Sequence, residues 1–338
     1  MKIDILYQFN EKYAPYAGTS ITSLFENNKH FQEIRVFILG EELSQDSTQR
    51  LRVTGERYGR QIIFVDTAAL IEKMQALHMP TYRGSYAANI RLFLPELLDS
   101  SINRLLYLDA DTIVDGGLDE LVDIAMMDCP AAMVRDSLAR THKLRLGIPK
   151  EEPYFNSGVI LFDMKLWREE KCSEKIAAHI KNVRAHYPSP DQDLLNVVCR
   201  GRIMSLPPRY NFQPIHLAFS VKSYFRCFGQ NGYYSAEEIR QDLKKPVIYH
   251  FFRFVGEFPW NRDNLHPDND IFDKYLAKSA FNDYVKTVSE AGAVLRIEKL
   301  LYRLLPGGVF IYLFRAAYEW FIYKANRDSE REKINRLM

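Results

Sequence analysis

Two aspartates separated by a single residue follow an apolar segment at the end of the first third of the chain. Residues 103–108 (Asn-Arg-Leu-Leu-Tyr-Leu) have the length and composition of a buried strand, and Asp109 and Asp111 come directly after them. Open α/β sheets bind ligands at the carboxyl ends of such strands. Successive strand residues point to opposite faces, so Asp109 and Asp111 would share a face only if the strand continued through them. We expect a turn here instead, which brings both carboxylates onto one hard cation. Mn2+ or Mg2+ would suit these oxygen ligands, and the alternative is an ordinary helix cap or Asx-turn.

Further polar residues could complete such a site. An apolar strand at residues 154–163 is entered through Asn-Ser-Gly at 156–158, where the glycine lets the backbone approach a ligand or simply forms a bulge. Asp191 and Gln192 open a helix, a place where acidic residues also act as ordinary caps. His250 ends a late strand and can complete a metal site begun by carboxylates, although a lone histidine among aromatic residues more often belongs to a core.

The elements that must position these residues alternate between strand and helix. Strands are predicted at residues 3–7, 34–40, 61–66, 103–109, 131–136, 154–163 and 246–252, and helices at 14–25, 44–58, 86–97, 118–121, 166–186 and from 191 onward. This alternation favours an α/β protein whose sheet has right-handed parallel crossovers. The chain has neither a G-x-G-x-x-G nor a G-x-x-x-x-G-K-[ST] segment, so a nucleotide must be held through side chains and a metal.

The composition is that of a folded protein without a strong overall charge. Of the 338 residues 47% are apolar, and the net charge is +2, which supports a large core and gives no argument for nucleic-acid binding. Four widely separated cysteines without a Cys-x-x-Cys pair indicate reduced thiols in a cytosolic protein. The chain begins directly with a strand pattern and has no run of 18 uncharged apolar residues, so we expect neither export nor a membrane span.

Taken in order, these segments resemble the family 8 glycosyltransferases, the retaining group that includes bacterial lipopolysaccharide galactosyltransferases and glycogenin. The resemblance covers roughly residues 1–280. It is carried by Tyr13-Ala14, Asn89-Ile90-Arg91-Leu92, Leu106-Tyr107-Leu108-Asp109-Ala110-Asp111, Tyr154-Phe155-Asn156-Ser157-Gly158-Val159, Asp191-Gln192-Asp193-Leu194-Leu195-Asn196, Asn211-Phe212-Gln213-Pro214 and His250 with Pro259-Trp260. It implies a GT-A fold, a Rossmann-like, mixed and mostly parallel sheet flanked by helices, with a helical appendage at the C-terminus.

The resemblance also implies roles for individual residues. Asp109, Asp111 and His250 would bind Mn2+ or Mg2+. The donor, a UDP-sugar, would contact Asn10, Tyr13, Arg91, Asp109, Ala110, Asp111, Asn156 and Gly256. Asp191 and Gln192 would form the catalytic pair. Gln192 would lie at the β-face of the anomeric carbon, and because an amide is a poor nucleophile, a front-face displacement fits it better than a covalent intermediate.

One segment departs from the family pattern. The family usually reads His-x-x-Gly-x-x-Lys-Pro-Trp, with the lysine on the β-phosphate, whereas the segment from His250 to Trp260 is two residues longer and has Phe258 in place of the lysine. Arg253 or Arg262 could supply the missing charge. Without such a substitute, diphosphate binding would be weak, which motivates the alternative of a catalytically impaired sugar-nucleotide-binding protein.

The C-terminal segment is predicted to be a basic amphipathic helical tail, residues 286–338, after a catalytic domain at residues 1–285. Residues 291–338 carry a net charge of +4, whereas the preceding 290 residues carry about −2. Residues 294–305 are apolar on one face, with Arg296, Lys299 and Arg303 on the other. This pattern is typical of segments that lie on anionic lipid, and it predicts peripheral attachment to the inner face of a bacterial membrane. The alternative is packing onto the catalytic domain or a dimer partner.

The leading hypothesis is therefore a retaining, metal-dependent transferase. It would move galactose or glucose from a UDP-sugar to a cell-surface glycan or glycolipid such as lipopolysaccharide or capsule. A less favoured alternative is a haloacid-dehalogenase-type phosphohydrolase, because residues 109–113 nearly match its Asp-x-Asp-x-Thr/Val signature. That signature normally follows the first strand of the fold.

Overall fold

A mixed sheet forms the centre of this computed structural model, which describes all residues except Arg83, 138–139, 184–186, Pro214, 230–231, 290–291 and Met338. The strands, in chain order, are β1 (Lys2–Asn10), β2 (Glu33–Glu41), β3 (Gln61–Phe64), β4 (Arg104–Asp109), β5 (Thr112–Val114), β6 (Ala131–Arg135), β7 (Phe155–Asp163), β8 (Ile203–Leu206) and β9 (Ile248–His250). Within the described residues, seven of them form one sheet in the order β3-β2-β1-β4-β7-β6-β8, and β5 pairs with β9 in a second, small sheet.

The helices cover both faces and the edges of this sheet. They are α1 (Ala14–Asn27), α2 (Gln45–Arg57), α3 (Ala68–Ala76), α4 (Asp119–Val122), α5 (Arg140–Arg145), α6 (Met164–Glu169), α7 (Cys172–Asn182), α8 (Pro190–Val198), α9 (Ile215–Ala218), α10 (Val221–Phe228), α11 (Ala236–Asp242), α12 (Asn269–Leu276), α13 (Ala293–Leu304) and α14 (Gly307–Leu337). Short 3-10 segments occur at Glu11–Tyr13, Ala87–Glu96 and Pro208–Tyr210.

The strand directions confirm the prediction of a mixed, mostly parallel sheet. β1 pairs in parallel with β2 on one side and with β4 on the other, and β2 pairs in parallel with β3. β7 runs antiparallel to both of its neighbours, β4 and β6, while β6 and β8 are parallel. The chain moves outward from β1 to β3 and then returns to β4 beside β1. This reversal creates a switch point, where the carboxyl ends of β1 and β4 leave a crevice for a ligand.

The two central strands are apolar throughout because both of their faces are buried. Leu106 and Leu108 of β4 belong to one hydrophobic core, and Leu105 and Tyr107 belong to a second core on the opposite face. All four side chains are fully buried. A strand covered by helices on both faces appears in sequence as a continuous apolar run rather than as an alternating one. The segment before Asp109 is therefore apolar because β4 is buried on both faces.

Several predicted elements differ from the observed ones. The single helix predicted at 166–186 is wrong, because α6 and α7 are separated at Lys171, whose left-handed backbone (φ of 54°) ends the first helix; residue 186 lies outside the described residues. The segment at 86–97 is a 3-10 helix with a kink at Phe93, close to Pro95. Proline lacks the amide hydrogen that a regular α-helix would need at that point.

Helices α10 and α11 were not predicted from the sequence. Helix α11 begins with a capping box in which Ser235 and Glu238 bond reciprocally to each other's backbone amides. This Ser-x-x-Glu pattern is a start signal that the sequence interpretation did not use. Strand β8 was not predicted from the sequence either, and it completes the edge of the sheet beside β6.

The C-terminal helices α13 and α14 pack against the rest of the chain. Phe310 and Ile311 of α14 are buried in the main core, and the Phe310 ring stacks on that of Phe219 at 6.1 Å between centroids. Lys299 of α13, predicted to lie on the basic face of the tail, pairs with Glu257 at 2.7 Å. Within the described part of the chain, no helix combines the length and apolarity that a membrane crossing requires. The boundary between residues 285 and 286 stays a prediction.

Candidate active site

The candidate site lies at the switch point between β1 and β4. Strand β4 ends at Asp109, which lies opposite Gln8 of β1 in the register of the sheet. The chain then turns, and the Thr112 hydroxyl donates to the Asp109 carbonyl oxygen at 2.8 Å, which closes the turn. Strand β5 pairs antiparallel with β9 so that Thr112 faces His250. The small sheet therefore brings a histidine from far along the chain to the two aspartates.

Asp109, Asp111 and His250 form the one cluster of candidate metal ligands found among the described residues, with ligand atoms all within 4.8 Å of one another. His250 Nε2 lies 3.3 Å from an Asp111 oxygen and 3.7 Å from an Asp109 oxygen. The other ring nitrogen, Nδ1, lies 2.9 Å from the Asn211 side-chain oxygen. Because an amide oxygen only accepts, Nδ1 carries the proton and Nε2 presents its lone pair to the cluster.

The donor set and its surroundings fit a divalent cation. Two carboxylates and an imidazole suit Mn2+ and related ions. Gly158 of β7 faces the cluster, and a Cβ atom at this position would lie 3.0 Å from an Asp109 carboxylate oxygen and even closer to the His250 ring. The glycine that the sequence marked as a place of close approach thus leaves room for the histidine.

Protonation of His250 is governed by opposing effects. Burial disfavours the imidazolium form, but the negative charges of Asp111, Asp109 and Asp136 outweigh this and raise the pKa of His250 above its ordinary value. The histidine is therefore surrounded by negative charge that a bound cation would share. Asn211 thus fixes the tautomer of His250, and the neighbouring aspartates favour positive charge at the cluster.

Two amide side chains connect His250 with Asp136, which also lines the cleft. The Asn211 amide nitrogen donates to the Asn156 oxygen at 2.8 Å, and the Asn156 nitrogen donates to Asp136 at 3.1 Å. Burial raises the pKa of Asp136, while its hydrogen bond from Asn156 opposes the shift. Sequence reasoning assigned no role to Asp136 or Asn211. The position of Asp136 directly after β6, comparable to that of Asp109 at the end of β4, was the available signal.

Arg91 connects the metal cluster with the predicted catalytic pair. Its guanidinium donates to Asp109 at 3.1 Å and to the Ser157 carbonyl oxygen at 2.9 Å, and it lies 3.3 Å from Asp191. The same group lies over the Tyr107 ring, 3.9 Å from its centroid. Burial alone would lower the pKa of Arg91, but the neighbouring acidic groups raise it. Arg91 is therefore a permanently charged connection between the two carboxylates.

Asp191 and Gln192 occupy the first turn of α8 and both contact Ser157. The Ser157 hydroxyl donates to Asp191 at 2.9 Å, and its backbone amide donates to the Gln192 side-chain oxygen at 3.0 Å. The Gln192 amide nitrogen donates to the Tyr154 hydroxyl at 3.1 Å. Burial raises the pKa of Asp191, and Arg91 opposes this shift.

The role of helix cap falls to a different residue of this turn. Asp193 accepts a hydrogen bond from the Ser189 backbone amide at 3.1 Å and from the Tyr154 hydroxyl at 2.6 Å. It also lies 2.8 Å from His142 Nε2. Asp193 therefore holds the N-terminus of α8 together with Tyr154 and His142. Asp191 is not needed as a cap and lines the cleft.

Most of the predicted site residues line one cleft with a volume of about 1110 Å3. Those that line it are Tyr13, Arg91, Asp109, Asp111, Asn156, Asp191, Gln192, His250 and Gly256. Asn10 ends β1 and Ala110 is buried in the turn after β4, and neither is among the described lining residues. The roles predicted for individual residues stay predictions, but the structure brings the nine together.

Solved glycosyltransferase structures share this architecture. The chain superimposes on the galactosyltransferase LgtC, solved in complex with donor and acceptor sugar analogs, with a TM-score of 0.65 and 22% identity over 88% of this chain and 100% of that one. It superimposes on the bifunctional glycosyltransferase WbbM with a TM-score of 0.68 and 20% identity, covering 82% of this chain and 50% of that one. The protein has the GT-A fold.

The family follows from the sequence. Residues 4–264 match the model described as Glycosyl transferase family 8, and the chain belongs to this family. It is a glycosyltransferase by descent.

Curated relatives align with most of the chain. General stress protein A of Bacillus subtilis is 27% identical over 282 residues, which cover 81% of this chain and 92% of that protein. Lipopolysaccharide 1,2-glucosyltransferase of Escherichia coli K12 is 27% identical over 309 residues, covering 90% and 85%. Lipopolysaccharide 1,3-galactosyltransferase of Salmonella typhimurium is 24% identical over 282 residues, covering 80% and 77%.

Proposed function

We propose that this protein is a retaining hexosyltransferase that moves galactose or glucose from a UDP-sugar to a cell-surface glycan or glycolipid such as lipopolysaccharide or capsule. The observation that carries the proposal is the convergence of Asp109, Asp111 and His250 at the switch point of the sheet. The printed names of two relatives, a lipopolysaccharide glucosyltransferase and a lipopolysaccharide galactosyltransferase, support the hexose and the acceptor class.

The proposed metal is Mn2+ or Mg2+, held by Asp109, Asp111 and His250. When bound, it would supply Lewis-acid stabilisation of the charge that develops on the departing UDP. Arg91 contributes by fixing the orientation of Asp109 and of Asp191, so that both carboxylates are in place before the donor binds. Such preorganisation lowers the cost of reaching the transition state.

A front-face displacement is the mechanism that these residues support best. Both polar ends of the Gln192 amide already take part in hydrogen bonds, with Ser157 and with Tyr154. A side chain held in this way is suited to contact one face of the sugar and poorly suited to attack it. Asp191 and Gln192 are both buried in the wall of the cleft, which keeps their orientation fixed.

The test is calorimetric titration of UDP, UDP-galactose and UDP-glucose, each with Mn2+ and with EDTA. We expect binding that requires the metal, and the tighter-binding sugar names the donor. In the Asp109→Ala and Asp111→Ala variants, metal-dependent binding and transfer should be lost while the circular dichroism spectrum is kept. Asp123→Asn changes an exposed acidic residue and serves as the matched control. An Asp109→Ala/Asp111→Ala protein that still required Mn2+ for transfer would disprove the metal assignment.

A catalytically impaired sugar-nucleotide-binding protein is the second candidate, and Phe258 favours it. Its ring lies flat on Trp260, 4.5 Å between centroids and 9° between planes, at the place where the family has a phosphate-binding lysine. Tight, metal-dependent binding of UDP-sugar without hydrolysis or transfer would support this alternative. The phosphohydrolase hypothesis is wrong, because the chain belongs to a glycosyltransferase family and Asp109 lies at the end of the fourth strand rather than of the first.

The proposal includes attachment to the inner face of a bacterial membrane. Helix α13 carries an outward apolar stripe whose members are between 38% and 70% exposed: Val294, Ile297, Leu300, Leu301 and Leu304. Their spacing of three and four residues places them on one side of the helix. The exposed basic residues Arg296 and Arg303 lie on the same helix. Apolar side chains flanked by positive charge suit the surface of an anionic bilayer.

Membrane binding is best tested in the full-length protein, because removal of the tail would uncover the core around Phe310. We expect the double variant Ile297→Ser/Leu304→Ser to sediment less with phosphatidylglycerol vesicles than the unmodified protein. Val285→Ser changes an apolar residue that is 70% exposed but precedes α13, and it should bind normally. Equal binding by the double variant would contradict the proposal.

A further inference from the structure

The cleft contains two positively charged side chains that the proposed mechanism does not yet use. The described cationic residues that line it, apart from His250, are Lys12, Arg91 and Arg253. Arg91 is buried and lies between Asp109 and Asp191. Lys12 and Arg253 are exposed, and no carboxylate of the described residues lies within 4.0 Å of either charge. Two unpaired cations in an otherwise acidic cleft call for an anionic ligand.

The acidic residues of the cleft make these cations necessary for any phosphate ligand. Its lining includes Asp109, Asp111, Asp136, Asp191 and Glu298. A divalent cation offsets two negative charges, and the charge of Arg91 is shared by two carboxylates. A nucleoside diphosphate that entered this cleft would therefore still meet net negative charge unless further cations contacted it.

Arg253 is held at the cleft by an aromatic platform. It follows β9, the strand that ends at His250, and its guanidinium lies 5.5 Å from the centroid of the Phe258 ring. Phe258 stacks on Trp260, and Trp260 stacks on Tyr16 at 4.1 Å between centroids. A guanidinium over an aromatic ring retains its hydrogen-bond donors for another ligand while it loses part of its freedom to move. Phe258, which stands in place of the family's lysine, thus supports the positive charge of Arg253.

Lys12 belongs to the 3-10 turn that directly follows β1. Because β1 lies beside β4 in the sheet, this turn lies at the same carboxyl edge as Asp109. Arg262, the other candidate from the sequence, is exposed, and it is not among the described residues that line the cleft. Its backbone amide bonds to the Thr287 carbonyl oxygen at 3.0 Å. Position therefore favours Arg253 over Arg262.

We propose that Arg253, supported by the ring of Phe258, binds the β-phosphate of the nucleoside diphosphate, and that Lys12 is the second cation of this subsite. The inference rests on the proposed function and specifies the residues that replace a missing lysine. Arg253 binds phosphate through its planar set of donors, and Lys12 acts as a point charge. Both are donor-binding residues that contact the diphosphate directly.

The experiment compares UDP, UMP and uridine by calorimetry in the presence of Mn2+, with each variant in the full-length protein. Arg253→Ala should weaken UDP binding by roughly tenfold to a hundredfold, the effect of one charge-assisted hydrogen bond. It should change UMP binding much less and uridine binding not at all. Lys12→Ala should show the same pattern with a smaller factor. Arg262→Ala is the matched control and should bind all three ligands normally.

Two further measurements separate this inference from trivial causes. Arg253→Gln keeps most of the side-chain volume without the charge, so it should lose UDP affinity even if Arg253→Ala disturbs the loop. Repetition at several NaCl concentrations should show a weaker salt dependence of UDP binding in both Arg253 variants, because one ionic contact has been removed.

The failure of the inference and the failure of the proposed function give different results. If the unmodified protein binds UDP with Mn2+ and both Arg253 variants bind it equally well, the inference is overturned and the proposed function stands. Equal weakening of UDP, UMP and uridine would also overturn it, since the residue would then act on the nucleoside or on folding. If the unmodified protein binds no UDP with Mn2+, the proposed function itself fails.

Discussion

A Cβ atom placed on Gly158 would lie 2.0 Å from Cε1 of His250 and 2.5 Å from its Nδ1. Non-bonded atoms do not approach this closely, so no other residue fits at this position of β7 unless the imidazole moves. The imidazole is also held in place by the hydrogen bond between its Nδ1 and the Asn211 side-chain oxygen. Gly158 is therefore needed because it lacks a side chain that would collide with His250. Its backbone conformation is that of an ordinary strand and does not itself require glycine.

Replacement of Gly158 by alanine should therefore displace His250. We expect metal-dependent UDP binding to weaken at least tenfold, together with a loss of about 1–3 kcal/mol of stability from overpacking. Calorimetry with Mn2+ and urea unfolding measure the two effects. Gly292→Ala is the control, because a Cβ at residue 292 meets no atom within 4 Å. Normal Mn2+-dependent affinity in Gly158→Ala would show that His250 is not needed for the metal.

Asn211 should matter for the metal although it is not itself a candidate ligand. It accepts the His250 Nδ1 hydrogen and thereby presents Nε2 to the aspartates. Removal of such a supporting partner typically costs about 10- to 100-fold in metal affinity. We expect this loss for Asn211→Ala in a titration of Mn2+ at saturating UDP.

The exposed Asn103 provides the matched control for Asn211, because Asn103→Ala removes the same amide at the surface. An unchanged Mn2+ affinity in Asn211→Ala would mean that the histidine keeps its tautomer and orientation without this hydrogen bond.

The sequence predicted what depends on local pattern. The apolar run before Asp109 identified a buried strand, and a turn after it was expected to bring Asp109 and Asp111 together. The glycine at 158 was recognised as a place of close approach. These features follow from residues that are adjacent in the chain.

The remaining features depend on contacts between distant residues. Asp136 and Asn211 became part of the site only because β6, β7 and the segment before β9 meet in space. The antiparallel direction of β7 also has no local signature, since strands of either direction read as apolar runs when both faces are buried. The break at Lys171 places a left-handed backbone on a residue with no particular preference for it.

Arg91 should be the residue whose loss destabilises the site most. Its guanidinium is 7% exposed and lies within 3.3 Å of both Asp109 and Asp191. Arg91→Ala would leave two carboxylates without their buried partner, and such a change costs about 3–5 kcal/mol. Arg91→Lys should recover only part of this loss, because an ammonium cannot form the same fork of donors. Urea unfolding at neutral pH measures both variants.

Lys73 provides the contrast for Arg91. It pairs with Glu96 at 2.6 Å, but both side chains are substantially exposed. Lys73→Ala should therefore cost less than about 1 kcal/mol. A loss of similar size in Arg91→Ala would indicate that water enters the site and solvates the two carboxylates.

Asp268 should make stability depend on pH near neutrality. It is 7% exposed, and its Oδ2 has no hydrogen-bond partner among the described residues. Burial raises the pKa of Asp268 from 3.8 to about 7. In the unfolded chain the carboxyl loses its proton first, so its favourable contribution is present below about pH 4 and is lost as the pH rises to about 7.

Asparagine cannot ionise, and Asp268→Asn should therefore gain stability relative to the unmodified protein as the pH rises. We expect the difference in unfolding free energy to grow by about 2 kcal/mol or more between pH 5 and pH 8, as measured by urea unfolding at each pH. Asp270→Asn removes the charge of an exposed acidic residue in the first turn of α12, which begins directly after Asp268, and is the matched control. A constant difference for Asp268→Asn would mean that the buried carboxyl titrates like a solvated one.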